Sequence, residues 1–169
     1  MLHIYYGDGK GKTSAAVGSA VRASGANLTV LFIQLFKPDK SSERSALSKL
    51  DSVTLYPCPD KLKFTFEMSR QELEHEKQRY AGILSDIKLK AAEFDMIIID
   101  EFFTLNDCGF FSTNYLYSYI SSIYNDNEII LTGHEVEKRF ISLADYATHF
   151  QKVNHPYDTG AKPRRGIEF

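Results

Sequence analysis

The chain has no tryptophan, only two cysteines and no marked excess of either charge. Each scarcity excludes something. Cys58 and Cys108 stand far apart and form no C-x-x-C pair, so no disulfide framework is expected and a reducing compartment is the simplest home. A net charge of −2 supplies no general field for nucleic acid. No apolar run is long enough to cross a bilayer, and no charged start with an apolar core reads as a signal peptide. The chain opens on a strand-like run with no targeting segment to remove. A cytoplasmic protein with neither membrane nor nucleic acid as partner is the expectation. What is present is ordinary for a globular protein: 43% hydrophobic and 25% charged residues. At 169 residues the chain reads as one domain, 1–169, able to bury its own core without metals or disulfides.

Short β-branched runs alternate with amphipathic stretches. Leu2 to Tyr6 reads as a strand, and Gly11 to Ser24 as a helix closed by Gly25. "NLTVLFIQLF" is continuously apolar in its middle, the pattern of a strand buried on both faces of a parallel sheet. Ser41 to Leu50 reads as a helix and "SVTLYP" as a strand stopped by Pro57. Ser69 and Glu72 make a capping box before the stripe Leu73, Tyr80, Leu84, Ile87 and Ala91. "DMIIID", a helix from Thr113 to Tyr124, "EIILTG", a helix from Val136 to Leu143, and "YATHFQKV" complete the series. Such alternation predicts an α/β domain with a mostly parallel central sheet, whose ligands gather at the carboxyl ends of its strands.

Directly after the first strand stands "GDGKGKTS", Gly7 to Ser14. The common phosphate-binding spacing G-x-x-x-x-G-K-[ST] would need a glycine at Tyr6, so the loop is one residue short. Its chemistry is otherwise complete. Gly7, Gly9 and Gly11 allow backbone N–H groups to turn inward around a phosphate, and the following helix adds its positive end. Lys12 neutralises phosphate oxygens, Lys10 adds charge, and the Thr13 hydroxyl suits Mg²⁺. Asp100 and Glu101, ending the "IIID" strand, are the expected carboxylate partners for that metal. Together these features indicate a triphosphate and Mg²⁺ on a P-loop, RecA-like three-layer fold, and they leave the reaction open. Two apparent zinc-protease starts, at His75 and His134, lack the second histidine such a site needs.

Further segments resemble one family. "GDGKGKTSAAVGSAVRASG", "VLFIQLFK" with "SSERSAL", "KFTFE", "IIIDEF" and the tail "LTGHEVEKRFISLADYATHFQKVNHPYDTGAKPRRGIEF" are similar, in order, to the ATP-dependent corrinoid adenosyltransferases of the CobA/BtuR type. The resemblance centres on the loop, on Gln34, Lys37, Glu43 and Arg44, and on the tail. It implies transfer of the 5′-deoxyadenosyl group of ATP to the Co(I) of a reduced corrinoid, with release of triphosphate. It also implies that Gly7, Asp8, Gly9, Lys10, Gly11, Lys12, Thr13 and Ser14 hold ATP reversed, gripping a leaving group rather than presenting a phosphorus for attack. Lys12, Thr13 and Glu101 would carry catalysis, and Thr13 with Asp100 or Glu101 would hold Mg²⁺.

Phe64 and Phe66 match the two family aromatics that crowd the lower face of the corrin. A pair of core residues on a short strand is the alternative reading. His155, with Asp158, matches K-H-x-x-D-x-G and is expected to order the chain near the nucleotide. Arg22 and Arg44 match family arginines, although on helix faces solvation is the expected state. Lys162, Arg164 and Arg165 form a basic cluster, either contacting ligand or solvated. An electron-donor reductase and a homodimer follow from the family, with the tyrosines between Tyr115 and Tyr124 suiting an interface or a core-facing helix equally. His134 stands where the family has arginine and Asp8 where it has asparagine. The chain begins without the extension that many members carry ahead of the first strand, so the expectation is a site that is more open, completed by a partner subunit, or turned to a different corrinoid. Rival readings are a phosphoryl-transferring P-loop enzyme, a non-catalytic corrinoid carrier and a RecA-like motor, the last disfavoured by the acidic balance.

Overall fold

The computed structural model describes residues 1–124, 127–160 and 162–167. The closing Glu168 and Phe169 of the "GIEF" motif lie outside the described residues. Strands β1 (Leu2–Tyr6), β2 (Val30–Gln34), β3 (Val53–Leu55), β4 (Met96–Asp100), β5 (Glu128–Gly133) and β6 (Tyr146–His149) form one six-stranded sheet in the order β3-β2-β4-β5-β1-β6. Every pairing in it is parallel. Helices α1 (Lys12–Gly25), α2 (Ser42–Leu47), α3 (Arg70–Lys90), α4 (Thr104–Asp107), α5 (Thr113–Ile123) and α6 (Lys138–Leu143) are interspersed.

The period-2 alternation of strand side chains divides the core into two layers. Val30, Phe32, Met96, Ile98 and Ile130 meet Ala16, Ala20 and Ala23 of α1 on one face. Leu31, Ile33, Ile97, Ile99, Ile129 and Leu131 meet Tyr80, Leu84 and Ile87 of α3 and Leu116 and Ile120 of α5 on the other. The alanine stripe on α1 lets that helix lie close to the sheet and fixes where its N-terminus opens. β2 and β4 are buried at every residue, as their continuous apolar runs predict, whereas β6 is exposed at every residue. The expected capping box is present: Ser69 accepts from the Glu72 N–H and Glu72 accepts from the Ser69 N–H at 2.8 Å.

One expectation is corrected and two open readings are narrowed. "KFTFE" is no strand: Thr65–Glu67 is a single 3-10 turn, with Phe64 67% and Phe66 82% exposed. The two rings stack on each other, 5.3 Å apart, rather than on the core. Arg44 is not solvated but buried, its guanidinium bonded to Asp39 at 2.8 Å and to the Tyr56 carbonyl at 3.0 Å. The tyrosines from Tyr115 to Tyr124 divide, with Tyr115 45% exposed and Tyr119 facing the core. Tyr119 is buried, its hydroxyl donating to the Leu84 carbonyl, and the Tyr124 hydroxyl donates to Asp145.

Candidate active site

The carboxyl ends of β1, β2 and β4 open on a cavity of about 440 Å³, lined by the loop from Gly9 to Ser14 and by Lys37, Glu43, Glu101 and Ile167. The loop is built asymmetrically. Its front is bound to neighbouring strands: the Gly7 N–H donates to the His134 carbonyl at 2.9 Å and the Gly9 N–H to the Phe150 carbonyl at 2.7 Å. A Cβ at Gly7 would meet the Phe150 carbonyl oxygen at 2.3 Å, and one at Gly9 the Phe150 backbone at 2.7 Å. These glycines admit the chain leaving β6, so the expectation that their N–H groups ring a phosphate is corrected. Gly11 is needed for a different reason, a φ of 115° that side chains avoid. Beyond it the first N–H groups of α1, on Lys12, Thr13 and Ser14, have no intrahelical acceptor by the geometry of a helix start. An anion therefore has the back of the loop, not its front.

Asp8 points away from the cavity, accepting from the Lys152 N–H at 2.9 Å, and that bond holds its carboxyl below the usual range. Lys152 also pairs with Asp158 at 3.1 Å. His155 is half-buried at the head of a 3-10 turn, Pro156–Thr159, and does not line the phosphate cavity. Its segment reaches the loop through Asp158, Lys152 and Asp8.

Lys12 is buried with its ammonium curled into the loop, donating to the Gly7 and Gly9 carbonyls at 2.7 and 2.9 Å. Burial pushes it below the usual lysine range, against the pull of Glu101, Asp8 and Asp100. Asp100 is fully buried at the centre of a polar knot. It accepts from Thr132 at 2.7 Å, Thr13 at 3.0 Å and Gln34 at 3.3 Å, and pairs with Lys37 at 3.1 Å. Glu101 turns the other way, to the rim. It has a φ of 62°, rare for a residue with a side chain, and its N–H donates to Thr132 at 2.9 Å while its carboxylate accepts from Thr104 at 2.7 Å.

Lys37 and Glu43 complete the cavity. Glu43 accepts from Gln34 at 2.8 Å and pairs with Lys37 at 3.4 Å. Partial burial raises its carboxyl, but the Gln34 amide and Lys37 outweigh that and hold it below the usual range. Burial likewise opposes the Lys37 charge, and Asp100 with Glu43 overcomes it, leaving the ammonium above the usual lysine range.

A second, more apolar cavity of about 650 Å³ is lined by Phe36, Pro38, Phe64, Tyr80, Cys108 and Phe110 among others. Residues that line the two cavities are neighbours in the chain. Lys37 lines the first while its neighbours Phe36 and Pro38 line the second; Glu101 lines the first while its partner Thr104 lines the second. Phe64 borders the second cavity, and Phe66 does not. Arg22 is exposed and lines a separate cavity with Met1 and Asn127. Lys162, Arg164 and Arg165 are exposed, and the chain just after them brings Gly166 and Ile167 over the loop.

Sequence reasoning gave Thr132, Thr104, Ile167, Lys37 and Glu43 no role. Thr132 had one signal, a threonine at the end of an otherwise apolar strand. Ile167 had none.

The sequence model of the family described as ATP:corrinoid adenosyltransferase BtuR/CobO/CobP matches residues 1–169. Among curated proteins, the corrinoid adenosyltransferase of Escherichia coli K12 is 24% identical over 169 residues, covering 100% of this chain and 85% of the relative. The corrinoid adenosyltransferase CobA of Salmonella typhimurium LT2 is 25% identical over 174 residues, with the same coverage of 100% and 85%. Of solved structures, a replication initiator DnaA bound to AMPPCP and single-stranded DNA is a looser likeness. It has 14% identity and a TM-score of 0.45 over 88% of this chain and 39% of that one, too distant to bear on function. With the family match running the whole length, the chain belongs to the ATP:corrinoid adenosyltransferase family.

Proposed function

We propose that this chain transfers the 5′-deoxyadenosyl group of ATP to the cobalt of a reduced corrinoid. The observation that carries the reading is the boundary at Lys37: it lines a polar cavity at a phosphate-binding loop, while its neighbours Phe36 and Pro38 line an apolar cavity bordered by an exposed phenylalanine. That arrangement suits a triphosphate on one side, a large flat macrocycle on the other, and a sugar carbon between them. In the transfer, a Co–C bond forms as the electron pair of Co(I) attacks C5′. The C5′–O bond breaks, and its electrons leave with the triphosphate.

The residues act on the leaving group. Lys12 and the first N–H groups of α1 bind phosphate oxygens and stabilise the charge that gathers there. Gly7, Asp8 and Gly9 fix the loop against the chain after β6, and His155 with Asp158 supports that chain. Thr13, Asp100 and Glu101 are hard oxygen donors at the loop and fit Mg²⁺. They are too few to hold it alone, as expected of an ion that takes its remaining ligands from phosphate and water. When bound, Mg²⁺ supplies further neutralisation of the triphosphate. Phe64, with Phe66 stacked behind it, presents apolar bulk to the macrocycle. The Co(I) substrate requires an electron-donor reductase, and a homodimer is the assembly expected from the family.

An anaerobic assay with chemically reduced cobalamin and Mg²⁺-ATP tests the reading. Appearance of the Co–C spectrum together with tripolyphosphate is expected. Release of ADP or orthophosphate without a Co–C bond would assign the site to phosphoryl transfer instead.

A further inference from the structure

We propose that Lys37 is a resident cation which takes the metal's place in the nucleotide-free protein and yields it when Mg²⁺ arrives. The proposal rests on the Mg²⁺-triphosphate reading of this cavity and adds a role for a residue that reading left without one.

The Lys37 ammonium lies 3.1 Å from Thr13 Oγ1, 3.1 Å from Asp100 Oδ2 and 3.4 Å from Glu43 Oε1. The hydroxyl and the Asp100 carboxylate are the same hard oxygens that Mg²⁺ would take. Asp100 is fully buried, and a buried carboxylate without a cation is strongly destabilising. Lys37 answers that need while no metal is present. It cannot share the position, because two cations against the same oxygens repel over a few ångströms of low-dielectric interior. Of the two partners, Lys37 is the one able to move: its side chain is 28% exposed on a flexible stem, against 0% for Asp100. Glu43 gives it somewhere to go. That carboxylate is oriented by Gln34, lines the cavity beside the loop and already touches the ammonium. Displaced from Asp100 and kept by Glu43, the ammonium remains in the cavity as a second cation for the triphosphate.

Lys37→Met removes the charge and keeps the length. In protein without nucleotide, titrated with MnCl₂ by electron paramagnetic resonance, this variant should bind Mn²⁺ at least about tenfold more tightly than wild type. Its melting temperature should fall in metal-free buffer and recover on adding Mn²⁺, whereas wild type should respond little. Lys37→Arg, which keeps a cation there, should follow wild type in both measurements. Equal Mn²⁺ affinity for Lys37→Met and wild type, or a metal-independent loss of stability, would overturn the proposal.

Should Lys37→Met fail to fold with or without Mn²⁺, wild-type protein decides. The Lys37 side-chain ammonium resonance should shift on adding Mg²⁺-tripolyphosphate, and an unmoved resonance with the ligand bound counts against the exchange. Failure of the underlying reading looks different: wild-type protein would then not bind Mg²⁺-tripolyphosphate at all.

Discussion

The two cavities on either side of Lys37 are built to different standards. In the phosphate cavity the main polar side chains are held before any ligand arrives. Asp100 has four protein partners, Lys12 is bonded to two carbonyls, and β2 and β4 beneath are buried at every residue. The apolar cavity is closed partly by the stretch from Pro59 to Ser69, which has open space on both flanks. Lys61, Leu62, Lys63 and Met68 border this cavity and also another of about 630 Å³ against α3. Phe64 and Phe66 stand on that stretch largely exposed. The difference follows from the ligands proposed. A triphosphate is small and highly charged, and groups fixed in advance bind it without a reorganisation cost. A broad apolar ring is better met by a segment that settles on it, contributing area only once the ring is there.

That contrast can be broken first at the loop. Lys12→Ala should lower turnover by about 10³-fold, as expected for removing a charge-stabilising donor. Near-wild-type turnover would show that the back of the loop does not grip the leaving group. Gly9→Ala should cost about 2 kcal/mol in urea unfolding, since the added methyl meets backbone at 2.7 Å. An unchanged midpoint would mean that the loop front yields easily.

The apolar side should answer in the opposite way. Phe64→Ala and Phe66→Ala should each lower corrinoid-dependent turnover about tenfold while changing stability by less than about 0.5 kcal/mol, because both rings are exposed. ATP binding measured by calorimetry should be unaffected; a large stability loss would return these residues to the core.

Glu101 sharpens the picture at the boundary. Its left-handed backbone costs any residue with a Cβ, so Glu101→Gly should be more stable than Glu101→Ala by about 1 kcal/mol, with both losing activity. Equal stabilities would mean that the backbone relaxes without the carboxylate.

The smallest effect concerns acid. Glu72, bonded to Lys63 and capping α3, has its carboxyl pulled down to about 2, first by Lys63 and then by the Ser69 N–H. A depressed carboxylate stabilises fully above its free value of 4.5 and loses that contribution as pH falls through about 2. The Ser69 amide signal should therefore change across that window, and Glu72→Gln should abolish the change. A Ser69 signal that moves equally in the variant would show that Glu72 is not the titrating group.

How much of this could be read from the chain depended on whether local physics set it. β2, β4, the α3 cap and the strand-loop-helix around Lys12 follow from residue periodicity and turn chemistry, and they stand where expected. The short strand weighed as an alternative at "KFTFE" fell away because alternating aromatics mimic a half-buried strand, whereas among the described residues the segment forms a 3-10 turn and pairs with no strand. Arg44 failed because its partners, Asp39 and the Tyr56 carbonyl, meet only once α2 and β3 are placed. The polar knot around Asp100 draws Thr13, Gln34 with Lys37, and Thr132 from three separate stretches. Their convergence is a property of the strand order, and no window of sequence contains it.

The stitching between the loop front and the residues after β6 has one more consequence. Lengthening the glycine arc to the common spacing would not simply widen a ring for phosphate. The added residue would unpick the bonds to His134 and Phe150 and the seat of Asp8 on Lys152. Arc length and the sixth strand thus form a single construction. A redesign that alters one must rebuild the flank of the sheet with it.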